Sequence, residues 1–196
     1  MLPALAVAAG IAFPALARWQ KHRLTSDRLK AIMPSLPREV AKQYAPLARA
    51  AMRKGGINTP LRRAAFLAQV AEETGELRFL RELASGDGYD GRLGNTQPGD
   101  GRRYKGGGPL QLTGRSNYRA AGEALGVPLE DSPELIEDPA IGFQAAAWYW
   151  ANRGLNEVAD AGPEAFDEVT RRINGGLNGK AARDTYYERA RAVLGA

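Results

Sequence analysis

The side chains able to do acid/base chemistry crowd into one stretch of this chain. Glu72, Glu73, Glu76 and Glu82 follow an apolar run that starts at Phe66. A loop dense in glycine and polar residues comes next, and the stretch closes on Tyr104-Lys-Gly-Gly-Gly-Pro-Leu-Gln111-Leu-Thr113-Gly-Arg-Ser-Asn117-Tyr118. Two carboxyl groups beside a backbone that can pass close to a ligand are what hydrolysis of a sugar polymer requires: one protonates the leaving oxygen, and the other activates water or attacks. Other chemistries lack their reagents. The chain has no cysteine, and its single histidine, His22, lies in a basic flank, which sets aside disulfides, thiolate metal sites and histidine-based metal sites or triads. Gly106-Gly107-Gly108-Pro109 lacks the Lys-Ser/Thr that completes a phosphate-cradling loop. Neither a cofactor nor a metal is expected.

Spacing imposes a geometric condition on the two carboxyl groups. On an unbroken helix, Glu73 and Glu82 would lie about 180° apart around the axis and roughly 13 Å along it, so they could not face one substrate. Gly75, directly after Thr74, is a helix terminator that lets the chain turn back. A break between Thr74 and Leu77 is therefore required. Glu73 would sit at a helix C-terminus beside Glu72 and Glu76, surroundings that disfavour a further negative charge and suit an acid. Glu82, beside Arg81 and near Arg78, has surroundings that suit a base. A solvated helix end with glutamates paired to arginines explains the same charge pattern, and the pattern leaves both readings open.

The elements that must position these groups read as helical. Thr25-Ser26-Asp27 offers an N-cap for a short helix through Ile32, and Pro34-Ser-Leu-Pro37 interrupts it. An amphipathic helix over Glu39 to Lys54 stops at Gly55-Gly56, and Thr59-Pro60 caps a buried helix over Leu61 to Thr74. Residues 84–108 show little periodicity and read as a functional loop, with Tyr89 and Tyr104 as its notable aromatics. Gln111-Leu-Thr113 reads as extended. Further helices are expected from Ser116 to Leu125, from Ala140 to Asn152 behind an Asp138-Pro139 cap, from Gly162-Pro163 through Ile173, and from Ala181 to Leu194. Trp148-Tyr149-Trp150, embedded in an apolar helix, reads as core and lobe packing.

At 196 residues with 44% hydrophobic residues, the chain can bury a core and reads as one domain, split into two lobes by a cleft. Its net charge of +5 is spread along the sequence and forms no basic run of the nucleic-acid type, which points to anionic surfaces such as cell-wall polymers or phospholipid heads, with nucleic acid as the weaker alternative and no nucleic-acid partner expected. Residues 2–17 carry no charge and run into Arg18-Trp19-Gln-Lys21-His22-Arg23. Sixteen residues is short for a bilayer span of about 20. A signal or signal-anchor segment, a membrane-associating helix and an unrelated tail remain open for residues 1–23, with residues 24–196 as the functional domain. Action at the cell envelope or outside the cell is expected, with a possible membrane tether through residues 2–17, and the protein is expected to be a monomer.

Five motifs then occur in a recognisable order: Phe66-Leu-Ala-Gln-x-x-x-Glu73-Thr, Tyr104-x-Gly-x-Gly-Pro-x-Gln111-Leu-Thr113, Asn117-Tyr118, Ile173-Asn174-Gly-Gly and Arg183-x-x-x-Tyr-x-Arg189. Over residues 25–196 the chain resembles glycoside hydrolase family 19, in its compact bacterial and phage branch of endolysin-type muramidases and chitinases. The resemblance implies a mainly helical, lysozyme-like fold with a cleft between two lobes and an inverting mechanism. It implies Glu73 as general acid, Glu82 as general base, and Thr113 as a hydroxyl that helps hold the attacking water. It also implies substrate contacts from Tyr104, Gln111, Asn117, Asn174 and Arg183. The expected substrate is peptidoglycan or a chitin-like N-acetylglucosamine polymer. Alternatives are a glycan-binding protein of weakened activity and a lytic transglycosylase using a single glutamate. Glu72 stands where the family commonly has histidine, and Gly107 where it commonly has arginine. Both departures make the expected site more negative.

Overall fold

The computed structural model describes residues 23–196; the expectations attached to the apolar run 2–17 and most of its basic flank lie outside them. Among the described residues there are nine α-helices and no strand beyond isolated bridges. The helices are α1 (Ser26–Ile32), α2 (Arg38–Lys54), α3 (Pro60–Thr74), α4 (Asp100–Arg103), α5 (Arg115–Leu125), α6 (Pro139–Asn152), α7 (Leu155–Asp160), α8 (Phe166–Asn174) and α9 (Lys180–Leu194). Start signals act where the sequence puts them. Thr25 Oγ1 accepts from the Arg28 N–H at 3.2 Å, Thr59 Oγ1 accepts from the Arg62 N–H at 3.2 Å, and Asp138 Oδ1 accepts from the Ala140 and Ile141 N–H groups at 2.9 and 3.1 Å.

Helix α3 is the spine. Residues 63–71 are all buried, and Ala64, Ala65, Ala68 and Ala71 keep its surface low enough for neighbours to approach closely, with α9 making the most extensive contact. Around it lies the larger core. Phe66 meets Trp150 edge-on at 5.5 Å, and Phe166 stacks on Tyr187 at 4.0 Å. Truncating a buried aromatic such as Trp150 to alanine would cost about 3–5 kcal/mol. The Trp150 indole N–H donates to Asn156 Oδ1 at 3.0 Å, so burying this ring leaves no orphaned polar group.

A second, smaller core gathers Tyr104, Leu112, Tyr118, Ala121, Leu129, Ile136 and Ala145. Helix α6 is apolar on both sides and serves both cores: Phe143, Ala146, Ala147 and Trp150 face the first, and Ala145 the second. Two cores sharing one helical wall are the physical content of the expected two-lobed, mainly α architecture. Of the aromatic triplet, Trp150 is fully buried and Trp148 packs on the smaller core, while Tyr149 reaches the cleft.

Three differences from the sequence reading stand out. Residues 84–108 are more structured than their composition suggests, with a 3-10 turn at Asp87–Tyr89 and helix α4. Side chain to backbone bonds fix this segment: the Asp90 carboxylate accepts from the Gly99 and Gly101 N–H groups at 3.2 and 2.6 Å. Asn95 donates to the Tyr89 carbonyl at 2.9 Å and accepts from the Arg115 N–H at 2.8 Å. Helix α7 and the 3-10 turn at Pro133–Glu137 were also not anticipated, both being too short to show a period. The helix expected from Gly162-Pro163 opens as a 3-10 turn at Pro163–Ala165 before becoming α8.

Candidate active site

The chain breaks where the two-carboxyl geometry demands. Helix α3 ends at Thr74, and Gly75, Glu76 and Leu77 follow with φ of 55°, 63° and 62°. The Glu76 N–H donates to the Ala71 carbonyl at 2.8 Å and the Gly75 N–H to the Glu72 carbonyl at 3.4 Å, a Schellman ending. Left-handed backbone at the two non-glycine residues costs about 1–2 kcal/mol each, so the surroundings must hold it. They do so from three sides. Thr74 Oγ1 accepts from the Leu77 N–H at 2.7 Å, Leu77 is buried, and the Glu76 carboxylate accepts from the Ser35 N–H and from the Tyr186 hydroxyl at 3.0 Å. Glu76 thus turns away from Glu73 and works as an anchor, not as a like-charged neighbour.

Beyond the break, the chain lies antiparallel to the glycine turn. Arg81 and Leu112 each bridge Gly107, and the Glu82 N–H donates to the Gly106 carbonyl at 2.8 Å. This small ladder delivers Glu82 into a cleft of about 910 Å³ that Glu73 also lines. The two carboxyl groups separated by a helix end share one cavity.

They are held in different ways. Glu73 Oε1 accepts from Arg183 Nη2 at 2.7 Å, with the arginine side chain 5% and the glutamate side chain 17% exposed. Behind it, Arg183 also donates to Gln69 Oε1 and to the Asn178 carbonyl, and Gln69 donates to Thr170 Oγ1 at 2.8 Å. Gln69, Thr170 and Arg183 are all buried. No donor among the described residues reaches Glu73 Oε2. Glu82 instead accepts from the Tyr89 hydroxyl at 3.1 Å on Oε1 and from the Gly106 N–H at 2.9 Å on Oε2. The expected arginine partners of Glu82 are elsewhere: Arg81 pairs with Glu137 at 3.6 Å, and Arg78 donates to the Gly75 carbonyl at 3.2 Å. Burial raises the Tyr89 hydroxyl above its ordinary range, and the charge of Glu82 adds to this. That hydroxyl remains a proton donor to Glu82.

The other expected residues divide between the cleft and its foundations. Gln111, Thr113, Asn117 and Asn174 line the cleft. Thr113 Oγ1 donates to the Gln111 carbonyl at 2.8 Å, which leaves its lone pairs to accept from a water. The Gln111 side-chain amide donates to the Phe79 and Gly108 carbonyls at 3.3 and 3.1 Å, and Asn117 donates to the Thr113 carbonyl at 2.7 Å. Tyr104 corrects an expectation. It is 1% exposed, packs edge-on against Tyr118 at 5.5 Å and donates to the Glu130 carbonyl at 2.9 Å, so it supports the smaller lobe and does not line the cleft. Arg183 likewise lies beneath the cleft and reaches it only through Glu73.

The two departures also find explanations in the structure. A Cβ at Gly107 would fall inside van der Waals contact of Ile136 Cγ2 and 2.5 Å from the Tyr118 hydroxyl, so no side chain fits there. The Glu72 carboxylate lies against Gly179, at the N-terminus of α9, where the helix dipole favours negative charge. The extra negative charge expected beside Glu73 is therefore matched from α9. Tyr89, Tyr149 and Gln69 were missed as site residues. The signal for Gln69 lay in its spacing, one helical turn before Glu73, whereas Tyr89 sits in a segment without periodicity.

A family model described as Chitinase class I, glycoside hydrolase family 19, matches residues 55–183. An endochitinase of Arabidopsis thaliana is 40% identical over 114 residues, covering 58% of this chain and 39% of that protein. A glycosyl hydrolase family 19 domain-containing protein of Haemophilus influenzae is 38% identical over 108 residues, 54% of this chain and 51% of that one. The chain thus spans about half or less of the length of these curated relatives. Among solved structures, chitinase C from Streptomyces griseus superposes with a TM-score of 0.70 at 28% identity, covering 89% of this chain and 78% of that one. A bacterial family 19 chitinase gives 0.69 at 29%, covering 88% and 95%.

Proposed function

The chain belongs to glycoside hydrolase family 19 and has its lysozyme-like helical fold; on that premise we propose that it is an inverting glycosidase cutting β-1,4 links between N-acetylated amino sugars, in peptidoglycan in preference to chitin. The observation that carries the reading is the pair Glu73 and Glu82, brought into one cleft by the break at Gly75 and held by different partners. In the proposed reaction, Glu73 gives the proton on Oε2 to the glycosidic oxygen as the bond from that oxygen to the anomeric carbon breaks. A water attacks that carbon from the opposite face and loses its proton to Glu82. The lone pairs of Thr113 Oγ1 orient this water. Gln111, Asn117 and Asn174 contact the sugar from the cleft walls, while Arg183 positions the acid from below.

Peptidoglycan is preferred because the chain is basic, compact and without cysteine. Action at the cell envelope or outside the cell, as a monomer with a possible tether through the apolar residues 2–17, belongs to the same reading. The test is reducing-end release from purified peptidoglycan and from chitin, with the anomeric form of the first product read by NMR. New reducing ends with inverted configuration, lost in Glu73→Gln, are expected. An anhydro sugar product, with full activity retained in Glu82→Gln, would replace this reading with a lytic transglycosylase. No release from either polymer would leave a glycan-binding protein.

A further inference from the structure

The cleft is more basic than cutting a neutral polymer requires. Five arginines line it, Arg81, Arg92, Arg153, Arg171 and Arg172, against two carboxylates, Glu73 and Glu82. Three of the five have partners: Arg81 pairs with Glu137 at 3.6 Å, and Arg171 and Arg172 share Glu168 at 3.7 and 2.9 Å. Arg92 and Arg153 have no carboxylate partner among the described residues, and residues 1–22 contain no aspartate or glutamate that could supply one.

These two are placed in parallel ways. The Arg153 guanidinium lies 4.6 Å from the centre of the Tyr149 ring, and both residues line the cleft. The Tyr149 hydroxyl, raised chiefly by burial, also feels Arg153 and Glu73, which sets each of them within electrostatic reach of that hydroxyl. On the other carboxyl group, Tyr89 donates to Glu82 and in turn feels the charge of Arg92. Each glutamate therefore has a tyrosine beside it and an arginine without a carboxylate beside that tyrosine. Arg153 is fixed by α6 and its stacking on Tyr149, and Arg92 by the segment that carries Tyr89.

We propose that Arg92 and Arg153 read acidic substituents of the glycan on the two sides of the scissile bond, so that the enzyme selects a carboxylate-bearing polymer over neutral chitin. The inference rests on the glycosidase reading and adds to it the residues that set substrate choice. A guanidinium presents a planar fork matched to a carboxylate, whereas the hydroxyl and acetamido groups of chitin carry no charge to match it. Neither arginine forms an ion pair with Glu73 or Glu82. The acid and base stay available while the substituent is held.

The test compares intact peptidoglycan with the same material after its carboxyl groups have been amidated, alongside neutral N-acetylglucosamine oligomers. Turnover is measured for wild type, Arg92→Gln, Arg153→Gln and the double variant. The preference for the acidic over the amidated polymer is expected to fall about fivefold per arginine, mainly through KM, and to shrink in wild type as salt is raised. Binding is measured separately by co-sedimentation of the Glu82→Gln protein with intact and amidated polymer, with and without Arg153→Gln. Weaker binding to the amidated polymer, with that difference reduced by Arg153→Gln, supports the inference even if no bond is cut, in which case only the glycosidase reading fails. An acidic preference absent from wild type, or unchanged in the double variant, overturns it.

Discussion

Arg183 and Glu73 form an ion pair at 2.7 Å between residues 110 apart in sequence, and the arginine is almost wholly enclosed. A buried pair is weak evidence of net stabilisation, but removing one partner leaves the other charge without compensation. Arg183→Met is expected to cost about 3–5 kcal/mol and to appear as a large fall in melting temperature. Arg183→Lys, which keeps the charge without the fork, is expected to melt between the two and to lose kcat more than KM, because the displaced group is the proposed acid. A melting temperature equal to wild type in Arg183→Met would show that the pair does not hold the cleft together.

Glu82 stands on the surface of the cleft, bonded to one hydroxyl and one backbone N–H. Glu82→Gln should therefore keep the melting temperature while turnover falls about 10²–10⁴-fold, the range for loss of a general base, which is the role proposed for Glu82. Tyr89→Phe removes only the hydroxyl that orients Oε1, and a smaller fall in kcat, about tenfold, is expected. Steady-state rates on peptidoglycan together with thermal melts check both.

Gly107 lies in a pocket with no room for a side chain. Gly107→Ala is expected to destabilise the protein by about 1–3 kcal/mol, the usual cost of overpacking, because the Tyr118 ring cannot retreat while its hydroxyl donates to the Lys105 carbonyl at 2.8 Å. Gly107→Arg, which would match the commoner residue of the family, should fold less well still. Urea denaturation of both variants reads the cost.

Glu130 clamps the smaller lobe, accepting from Arg119 at 2.6 and 2.7 Å and from Arg115 at 3.0 Å. The Arg119 hydrogen bond first, and the Arg115 bond with it, pull its carboxyl from 4.5 to about 2. A carboxyl depressed in the folded state stabilises the fold fully above its unfolded value and loses that contribution as pH falls through the folded one. The stability difference between wild type and Glu130→Gln should accordingly be constant above about pH 5 and close between 4.5 and about 2. Melting temperatures taken across that range check the sign.

How much of this was legible depends on the range of the forces involved. Thr59-Pro60, Asp138-Pro139 and the stop at Gly75 act through neighbouring residues, and the helices begin or end where those signals put them. The demand for a break before Leu77 followed from helix geometry alone. What the sequence hid is held by distant partners. Glu76 reads as a third crowding carboxylate until Ser35 and Tyr186 are seen to hold it, and Arg81 reads as the partner of Glu82 until Glu137 takes it. Tyr104 has the residue type of a sugar contact, and only the packing of Tyr118 and the Glu130 carbonyl shows that it faces inward.

The left-handed turn after α3 bears on when, during synthesis, the site can exist. Its strained residues are held by Ser35 from the turn between α1 and α2 and by Tyr186 from α9, and Glu73 beside it is held by Arg183 of that same helix. Contacts of such sequence separation form late, because the loop entropy must be overcome before they yield anything. A nascent chain still lacking residues 180–194 therefore carries both glutamates without the framework that aims them. For a protein proposed to attack an envelope polymer, the proposed hydrolytic centre comes into being only after α9 has docked.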